Sequence, residues 1–378
     1  MARIEWIVDK SIGYCLCFIL GSINKIWPKN KDKLVITLPK DILIVKLWAL
    51  GESVLTLPMI KGIKQKYPDS KITVIARKQN KIVYEYIPFI NQIIEFEPKN
   101  ALSLFSLFRK FDLSFDCEPY LKLSGLVSWF CAKQRIGFSH TIRSWLYTHT
   151  VDFNDQQNEV LTYMDLAKAA GVDYIPEQLE KLTYSEENQQ KVDSLLKESN
   201  ISESDFVVGL CVGSGGSSKQ RMWPAEYFAQ LADKLIEERN AKIVFVGAPN
   251  ESDLINNVCS KMKKASLSFA GKTSIKDLFY FAERCNLFVS NDTGPMHVAA
   301  AQGTKTIGLF GPNLSVRFGP FGKNNAYVEK FLPCRPCINV HKGKLPKCKF
   351  KDDKEGYCMR LISVDDVYSV IEKLLRND

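Results

Sequence analysis

Apolar and polar residues alternate along most of this chain in the order typical of buried strands and amphipathic helices. The pattern runs from residue 41 to about residue 170 and starts again at residue 206. The apolar runs predict strands at residues 42–47, 71–76, 92–96, 113–116, 135–138, 206–212, 242–247, 266–270, 287–289 and 306–310. The segments between them predict helices at residues 53–66, 101–109, 121–133, 159–170, 224–239, 251–263, 275–285 and 296–301. This alternation predicts an α/β fold with two Rossmann-like, doubly wound domains that face each other across a cleft.

The N-terminal residues follow a different pattern and predict a single helix. Apolar residues recur there at helical spacing, but the uninterrupted apolar core, residues 12–23, is shorter than the roughly 20 residues of a membrane-spanning helix. Glu5 and Asp9 stand where a signal peptide has basic residues. Four lysines follow the apolar core: Lys25, Lys29, Lys31 and Lys33. We therefore expect an amphipathic helix in the plane of a membrane surface, although packing on the protein's own surface would give the same periodicity.

These patterns divide the chain into five segments. They are a membrane-associating segment at residues 1–40, a Rossmann-like domain at 41–180, a linker at 181–205, a second Rossmann-like domain at 206–362 and a C-terminal helical segment at 363–378. The linker is charged and weakly patterned, with one predicted helix at 186–197. A chain of 378 residues is also too long for one ordinary hydrophobic core, so two domains are expected on length alone.

Composition narrows the classes of function. With 46% apolar and 25% charged residues, the chain is typical of a folded globular protein and not of a disordered or fibrous one. Its net charge of +9 indicates anionic partners, such as a nucleotide, a phosphorylated glycolipid or an acidic membrane surface. No nucleic-acid-binding motif stands out, so we expect no nucleic-acid partner. Most of the eleven cysteines lie in apolar segments, as expected for reduced thiols in a cytoplasmic protein.

The stretch from residue 289 to residue 303 predicts an anion-binding turn. A short strand is followed by Asp292, Thr293 and Gly294, and then by a small-residue helix that carries His297. The start of such a helix presents unpaired backbone N–H groups and a favourable dipole to an anion. The carboxylate, hydroxyl and imidazole around it predict a diphosphate site. The alternative is that Thr293 or Asp292 caps the helix and that His297 is structural.

A glycine-rich loop precedes the helix predicted at 224–239. It follows a strand and contains Gly213, Ser214, Ser217, Lys219 and Arg221. Glycines let a backbone approach a phosphate closely, and the serines and basic residues supply donors and charge. The loop is neither a Walker motif nor G-x-G-x-x-G, so it could also be a plain flexible turn.

Glu251 begins the helix after the strand predicted at 242–247. In nucleotide-binding sheets that position often places a carboxylate on a ribose, which makes Glu251 a candidate donor ligand. A solvated glutamate that favours the helix dipole is the alternative.

Two parts of the chain resemble glycosyltransferase family 9, the lipopolysaccharide heptosyltransferases. Residues 289–312 resemble the family's nucleotide-binding signature, and residues 42–47 with Gly51 and Thr56-Leu57-Pro58 resemble its opening. The resemblance implies a GT-B type fold and transfer of a heptose-like sugar, without a required cofactor, from an ADP-linked donor to a glycolipid or oligosaccharide core. It also implies that Arg221 binds the donor diphosphate. In such two-Rossmann enzymes the last helix, here at 364–375, often packs on the first domain.

An inverting transfer needs a base that takes the proton of the acceptor hydroxyl. Family members usually carry Asp after the glycine of the opening motif, where this chain has Glu52. The resemblance therefore implies Glu52 as the base. Asp116 and Glu118, at the end of the strand predicted at 113–116, compete for the role because a buried carboxylate there could have a raised pKa. A glutamate that simply begins a helix is the alternative for Glu52.

Two further groups of side chains complete the candidate site residues. Lys122, Arg135, His140 and Arg143 are a cationic set that could hold phosphate or carboxylate groups of an acidic acceptor, or could merely be solvated. Cys334, Cys337, Cys348 and Cys358 begin with C-x-x-C, but their later spacing fits a structural zinc site only in part. Free thiols or a redox-dependent disulfide remain the alternatives.

These observations together predict an inverting glycosyltransferase whose second domain binds the nucleotide sugar and whose first domain presents the acceptor and the base. We expect it to be cytoplasmic and peripheral on the inner face of the cytoplasmic membrane. A nucleotide-sugar epimerase and a non-catalytic membrane-associated sugar-binding protein are the alternatives. The missing G-x-G-x-x-G argues against a dinucleotide oxidoreductase.

Overall fold

The computed structural model describes residues 3–26, 38–215, 219–339, 348–350 and 355–376. Within them the chain forms two compact units, the first ending at Pro176 and the second beginning at Glu177. Each unit contains one six-stranded parallel sheet flanked by helices. The expected fold class, an α/β protein with two Rossmann-like units and an N-terminal helix, is confirmed.

The first unit has the strand order of a Rossmann fold, β3-β2-β1-β4-β5-β6. Its strands are β1 (Asp41–Val45), β2 (Lys71–Ala76), β3 (Gln92–Glu95), β4 (Phe111–Asp116), β5 (Ala132–Phe138) and β6 (His149–Val151). Its helices are α1 (Arg3–Ile26), α2 (Leu50–Lys66), α3 (Lys122–Cys131) and α4 (Glu159–Lys168), with 3-10 segments at Lys81–Val83, Pro98–Leu107 and Ile142–Leu146. The edge strand β6 was not predicted, and the helix expected at 101–109 is part of a 3-10 segment.

The second unit has the same strand order, β9-β8-β7-β10-β11-β12. Its strands are β7 (Val207–Cys211), β8 (Lys242–Val246), β9 (Leu267–Ser268), β10 (Leu287–Asn291), β11 (Lys305–Phe310) and β12 (Asn325–Glu329). Its helices are α5 (Glu186–Glu198), α6 (Ala225–Arg239), α7 (Ser252–Cys259), α8 (Ile275–Arg284), α9 (Gly294–Ala301), α10 (Ser315–Phe318), α11 (Tyr357–Arg360) and α12 (Val364–Arg376), with 3-10 segments at Lys219–Arg221 and Pro249–Glu251. Strands β7 and β10 are buried along their whole length, as expected for parallel strands covered on both faces.

The segment interpreted as a linker, residues 181–205, lies within the second unit. Its helix α5 packs on α8, where Lys191 Nζ lies 2.7 Å from Asp277 Oδ2 and Tyr280 donates to Asp193 Oδ1 at 2.8 Å. Val192 and Leu196 of α5 are buried. The segment therefore has the hydrogen bonds and apolar contacts of a folded element.

The C-terminal helix α12 packs on the second unit. Val367, Ile371 and Leu374 are buried in the apolar core that includes α6 and β12. Trp223, just before α6, donates its indole N–H to the Ile362 carbonyl at 2.8 Å. The expectation that this helix packs on the first domain is wrong for this chain, because its apolar stripe completes the core of the second sheet.

Helix α1 packs on the first unit through a stripe of small buried residues. Gly13, Cys17 and Gly21 face α3 and the Ile142–Leu146 turn, and a Cβ at Gly21 would lie only 2.5 Å from the Trp145 Cβ. Asp9 also accepts from the backbone N–H of Leu123 at 2.8 Å, at the start of α3. Large apolar side chains occupy the exposed face: Ile7, Val8, Ile12, Tyr14, Leu16, Phe18, Ile19, Ile23 and Ile26. By length and composition alone, Trp6–Ile26 could cross a membrane.

A buried ion pair joins β4 to the Ile142–Leu146 turn. Arg143 is fully buried, and its Nη1 lies 3.0 Å from Asp116 Oδ2. Tyr147 donates to the same carboxylate oxygen at 2.5 Å, and Ser124 donates to it at 3.0 Å. Burial raises the pKa of Asp116, against the opposing effect of the Arg143 guanidinium. Arg143 is therefore engaged by Asp116 inside the first unit, and its acceptor-binding role stays a prediction.

We predict that Arg143→Met destabilises the protein by about 3–5 kcal/mol, because it leaves the Asp116 carboxylate buried without its cationic partner. Urea unfolding followed by circular dichroism measures this change. Lys133→Met is the matched control, since it removes an exposed lysine paired with Asp112 and is expected to cost less than about 1 kcal/mol. Equal effects of the two substitutions would contradict the prediction.

Candidate functional site

Three loops meet at the carboxyl edge of the second sheet, after the adjacent strands β7, β10 and β11. Their common point is Asp292, which is 5% exposed. Its Oδ2 lies 3.2 Å from Arg221 Nη1 and accepts from Asn313 Nδ2 at 2.8 Å. Arg221 also donates to the Asp292 carbonyl at 2.6 Å and to the Ser214 carbonyl at 3.2 Å. The glycine-rich loop and the turn before α9 are thereby held together, as the sequence predicts.

Asn291 provides a second tie between the same loops. It is fully buried, and its side-chain amide donates to the Val212 carbonyl at 2.8 Å and to the Gly213 carbonyl at 3.3 Å. Its side-chain oxygen, Oδ1, accepts from the backbone N–H of Trp223 at 3.0 Å. Neither Asn291 nor Asn313 was identified as a site residue. A signal for Asn291 was present, since it directly precedes Asp292 after an apolar strand.

The first turn of α9 begins at Gly294, next to Asp292. The Thr293 hydroxyl lies 3.3 Å from Ser290 Oγ and 3.9 Å from Cys211 Sγ and does not accept from the first-turn amides. The helix-capping alternative for Thr293 is therefore wrong. His297 lies on the same helix and is 4% exposed. The amides at the start of α9 give this turn the properties of an anion site.

Glu251 lies against the glycine-rich loop. Its Oε2 accepts from the Ala248 N–H at 2.9 Å, and a Cβ at Gly213 would overlap the Glu251 carboxylate. Glycine at position 213 therefore allows the close approach of this carboxylate. Glu251 ends the 3-10 segment Pro249–Glu251, and α7 begins one residue later than expected.

The remaining residues predicted in this loop differ in accessibility. Ser214 is buried, whereas Lys219 is exposed at the start of a 3-10 segment that ends at the buried Arg221. Ser217 lies outside the described residues. Lys219 is therefore an exposed cation of the glycine-rich loop, two residues before Arg221.

The carboxyl edge of the first sheet contains a buried lysine between two glutamates. Lys46 follows β1 and is fully buried; its Nζ lies 2.8 Å from Glu52 Oε2 and 3.5 Å from Glu118 Oε1. Burial lowers the pKa of Lys46, but the carboxylates of Glu118 and Glu52 raise it overall to well above its usual value. Lys46 was not identified as a site residue, because it continues an apolar run.

The two glutamates differ in their other contacts. Glu118 Oε1 accepts from the N–H groups of Leu47 and Trp48, both at 2.7 Å, and the residue is 2% exposed. Glu52 stands in the first turn of α2 and is 7% exposed. Glu118 therefore fixes the loop after β1, whereas Glu52 is the more accessible carboxylate. Asp116, the third candidate base, is fully buried in its pair with Arg143, and its role as base stays a prediction.

The other residues predicted to bind an acceptor have separate structural surroundings. Arg135 donates to the Leu146, Ala132 and Lys133 carbonyls and is 5% exposed. Burial lowers its pKa to about 10. Lys122 Nζ lies 3.8 Å from Asp9 Oδ2 of α1, and His140 is exposed and stacks on Phe153 with ring centroids 4.4 Å apart. The Arg135 guanidinium donates to backbone carbonyls of the first unit, and its acceptor-binding role stays a prediction.

The C-terminal cysteines surround one cavity next to the glycine-rich loop and the loop after β11. Gln220, beside Arg221, and Pro312, beside Asn313, contribute to its lining. The cysteines that line it are Cys334, Cys337, Cys348 and Cys358. Burial and the neighbouring Cys334 and Cys348 thiols raise the pKa of Cys337. Within the described ranges, no group of three or more metal-ligating side chains is arranged to hold a metal ion.

Comparison with known proteins shows where this architecture occurs. Lipooligosaccharide heptosyltransferase 2 of Campylobacter jejuni is 26% identical over 338 residues, which cover 87% of this chain and 96% of that protein. A glycosyltransferase family 9 structure from Veillonella parvula superimposes with a TM-score of 0.75 at 24% identity and covers 90% and 98% of the two chains. ADP-heptose lps heptosyltransferase II of E. coli gives a TM-score of 0.69 at 20% identity, with 89% and 99% covered.

A family model decides the assignment that the two motifs suggested. The model described as glycosyltransferase family 9 (heptosyltransferase) matches residues 105–347, which is more than half of the chain. This match includes the glycine-rich loop and the Asp292 turn, and the curated relative extends the similarity over most of both proteins. The expected resemblance is thus confirmed, and the chain is a glycosyltransferase that belongs to family 9.

Proposed function

We propose that this enzyme transfers a heptose, or a related sugar, with inversion from ADP-heptose to the core of a lipopolysaccharide or another glycolipid. The convergence of three loops on Asp292 carries the proposal, because it builds a diphosphate site at the carboxyl edge of a Rossmann-type sheet. The names of the relatives support the choice of sugar and acceptor. The second unit binds the donor, and the first unit supplies the base and binds the acceptor.

The donor diphosphate lies at the first turn of α9 in this proposal. The backbone amides after Thr293 and those of the Gly213 loop donate to its oxygens, and Lys219 contributes positive charge. Arg221 holds the two loops at their mutual distance through its bonds to Asp292 and Ser214 and adds its own charge. Glu251 accepts from the ribose hydroxyls, a role supported by its place beside Gly213.

Preference for ADP is the first test of this donor site. At about 100-fold excess over Kd, ADP adds roughly 2.7 kcal/mol of stability and raises Tm by a few degrees. We expect UDP, GDP and CDP to give smaller shifts in a thermal unfolding assay. Arg221→Ala is expected to abolish the ADP-dependent Tm shift, because the glycine-rich loop and the Asp292 turn lose the guanidinium that hydrogen-bonds to both.

Lys219→Ala separates loss of charge from loss of loop structure. This exposed residue is expected to leave the Tm without nucleotide unchanged and to weaken ADP binding about tenfold, equivalent to about 1.4 kcal/mol. Lys242→Ala, which removes a half-buried lysine near Asp205 at the start of β8, is the control. Absence of any nucleotide response in the wild type would overturn the proposed function.

Glu52 is the base in this proposal. Its carboxylate takes the proton of the acceptor hydroxyl while that oxygen bonds to the anomeric carbon and the nucleoside diphosphate leaves from the opposite face. Its accessibility supports the choice over Glu118, whose Oε1 is held by two backbone amides. The Lys46 ammonium, 2.8 Å from Glu52 Oε2, orients the carboxylate.

We expect Glu52→Gln to lower kcat by about 10²–10⁴-fold, because the amide cannot accept the proton. The ADP-dependent Tm shift should stay close to that of the wild type. Release of ADP in the presence of acceptor measures turnover. If Glu52→Gln keeps its activity and Glu118→Gln loses it, the assignment of the base is wrong. Nucleotide binding without turnover in the wild type would instead favour a non-catalytic sugar-binding protein.

Helix α1 is proposed to keep the enzyme on the inner face of the cytoplasmic membrane, where lipid-linked acceptors lie. The support is the division of its surface into a small-residue stripe that packs on the first unit and an apolar face that is exposed. The bonds of Asp9 to the start of α3, and of Asn24 to the Trp145 carbonyl at 3.3 Å, favour a helix held along the protein surface over one that spans the bilayer. Lys25 and the lysines that follow it favour contact with anionic headgroups.

Cys334, Cys337, Cys348 and Cys358 line one cavity, but within the described residues no three of them are arranged to hold a metal ion. We therefore propose that they are free thiols beside Pro312 and not a structural zinc site. We expect elemental analysis of purified protein to find no stoichiometric zinc and a thiol reagent to titrate these positions. One zinc per chain that is lost in Cys334→Ser/Cys337→Ser, but kept in the control Cys15→Ser at an exposed thiol of α1, would contradict this assignment.

A further inference from the structure

A row of three large apolar side chains stands out from the first unit. Leu102, Phe105 and Phe108, called here the apolar ridge, are 78%, 67% and 59% exposed. They are spaced three residues apart: Leu102 and Phe105 lie in the 3-10 segment Pro98–Leu107, and Phe108 is the residue that ends it. Since side chains three residues apart eclipse each other in a 3-10 helix, the ridge presents a continuous apolar edge.

The segment that carries the ridge packs on the core of the first unit. Leu104 and Leu107, on the opposite side of the segment, pack into the core of the first unit. Phe130 of α3 contacts two ridge residues, with ring centroids 5.7 Å from Phe105 and 5.0 Å from Phe108. The backbone N–H of Arg109 donates to the Phe130 carbonyl at 3.0 Å. The exposed side chains therefore project from a folded element.

The charges around the ridge are mostly positive. Lys99 and Lys110 flank it and are exposed, and Arg109 lies over the Trp129 ring at 5.5 Å. Lys133 is paired with Asp112, and Glu97 is paired with Arg77. Apolar side chains flanked by exposed lysines match the surface of a bilayer, which has anionic headgroups outside and apolar acyl chains within.

The ridge and helix α1 share the same support, α3. Trp129, next to Phe130 on α3, lies with its indole N–H 3.4 Å from Asn24 Oδ1 of α1. The C-terminal end of α1 and the ridge therefore contact neighbouring residues of α3, Trp129 and Phe130. This shared support, with the exposed lysines that flank the ridge, favours a lipid surface over a protein partner.

We propose that the apolar ridge is a second membrane-docking element, which inserts Leu102, Phe105 and Phe108 among the acyl chains of an anionic phospholipid surface. Together with α1 it attaches the first unit at two places and so fixes its orientation toward lipid-linked acceptors. This inference rests on the membrane association proposed above, but it concerns residues outside α1. Two weak attachments also bind far more tightly than either one alone.

Flotation of the full chain with phosphatidylglycerol/phosphatidylethanolamine vesicles tests the ridge. Removal of one large apolar side chain from lipid costs about tenfold in partitioning, so the triple variant Leu102→Ala/Phe105→Ala/Phe108→Ala is expected to bind about 1,000-fold more weakly. Lys99→Gln/Lys110→Gln should weaken binding about fivefold per lysine and only on anionic vesicles. Ile175→Ala/Phe331→Ala removes exposed apolar residues elsewhere, at 77% and 82% exposure, and is expected to bind like the wild type.

Three results separate the ridge from the other proposals. If the ridge variant binds vesicles as tightly as the wild type, the proposed role of the ridge is overturned and α1 remains the proposed anchor. Wild-type protein that binds no vesicles overturns both membrane proposals, and its ADP-dependent Tm shift still tests the transferase separately. A lower molar mass of the ridge variant than of the wild type in lipid-free light scattering would show that a second copy of the chain covers the ridge, which also overturns the proposal.

Discussion

Each unit of this protein depends on one buried charged side chain at the carboxyl edge of its sheet. In the first unit it is Lys46, held by Glu52 and Glu118; in the second it is Asp292, held by Arg221 and Asn313. A buried charge is costly unless its partners are close and correctly oriented. The partners come from neighbouring loops, so neither loop can move without exposing the charge. The same constraint that stabilises the loops therefore fixes the geometry of the candidate site.

The central strands could be predicted because both of their faces are buried. Such strands appear as uninterrupted apolar runs, and β1, β2, β7, β10 and β11 all lie within a residue or two of their predicted bounds. The edge strands β6 and β12 carry exposed residues on a short stretch, so no run marks them. The 3-10 segment at Pro98–Leu107 has the leucines and phenylalanines of an amphipathic helix, and tertiary packing decided its form.

The predicted site residues that the structure brings together are those whose position in the topology determines their place. Asp292, Arg221 and Glu251 each follow a strand of the second sheet, and parallel strands end at one edge. Lys46 was missed because a lysine after an apolar run gives no sign that it is buried. The burial of Arg143 could not be predicted for a related reason: its partner Asp116 is 27 residues away, and local sequence does not show a pairing at that distance. Charge in a sequence indicates chemistry only once its partners are known.

Residue size, more than hydrophobicity, determines which face of α1 meets the protein. Most surface helices bury large apolar residues and expose polar ones. Here Gly13, Cys17 and Gly21 are buried because small residues let the helix backbone approach Trp145 and Lys122, while large apolar residues are left outside. That arrangement is typical of helices packed in lipid, where small residues form the contact between elements. The apolar ridge at Pro98–Leu107 has the same exposed character and shares the support of α3. The inner, small residues of α1 account for its packing on the first unit, but they do not account for the large apolar side chains on its exposed face. Contact with lipid, as proposed above, would bury those side chains.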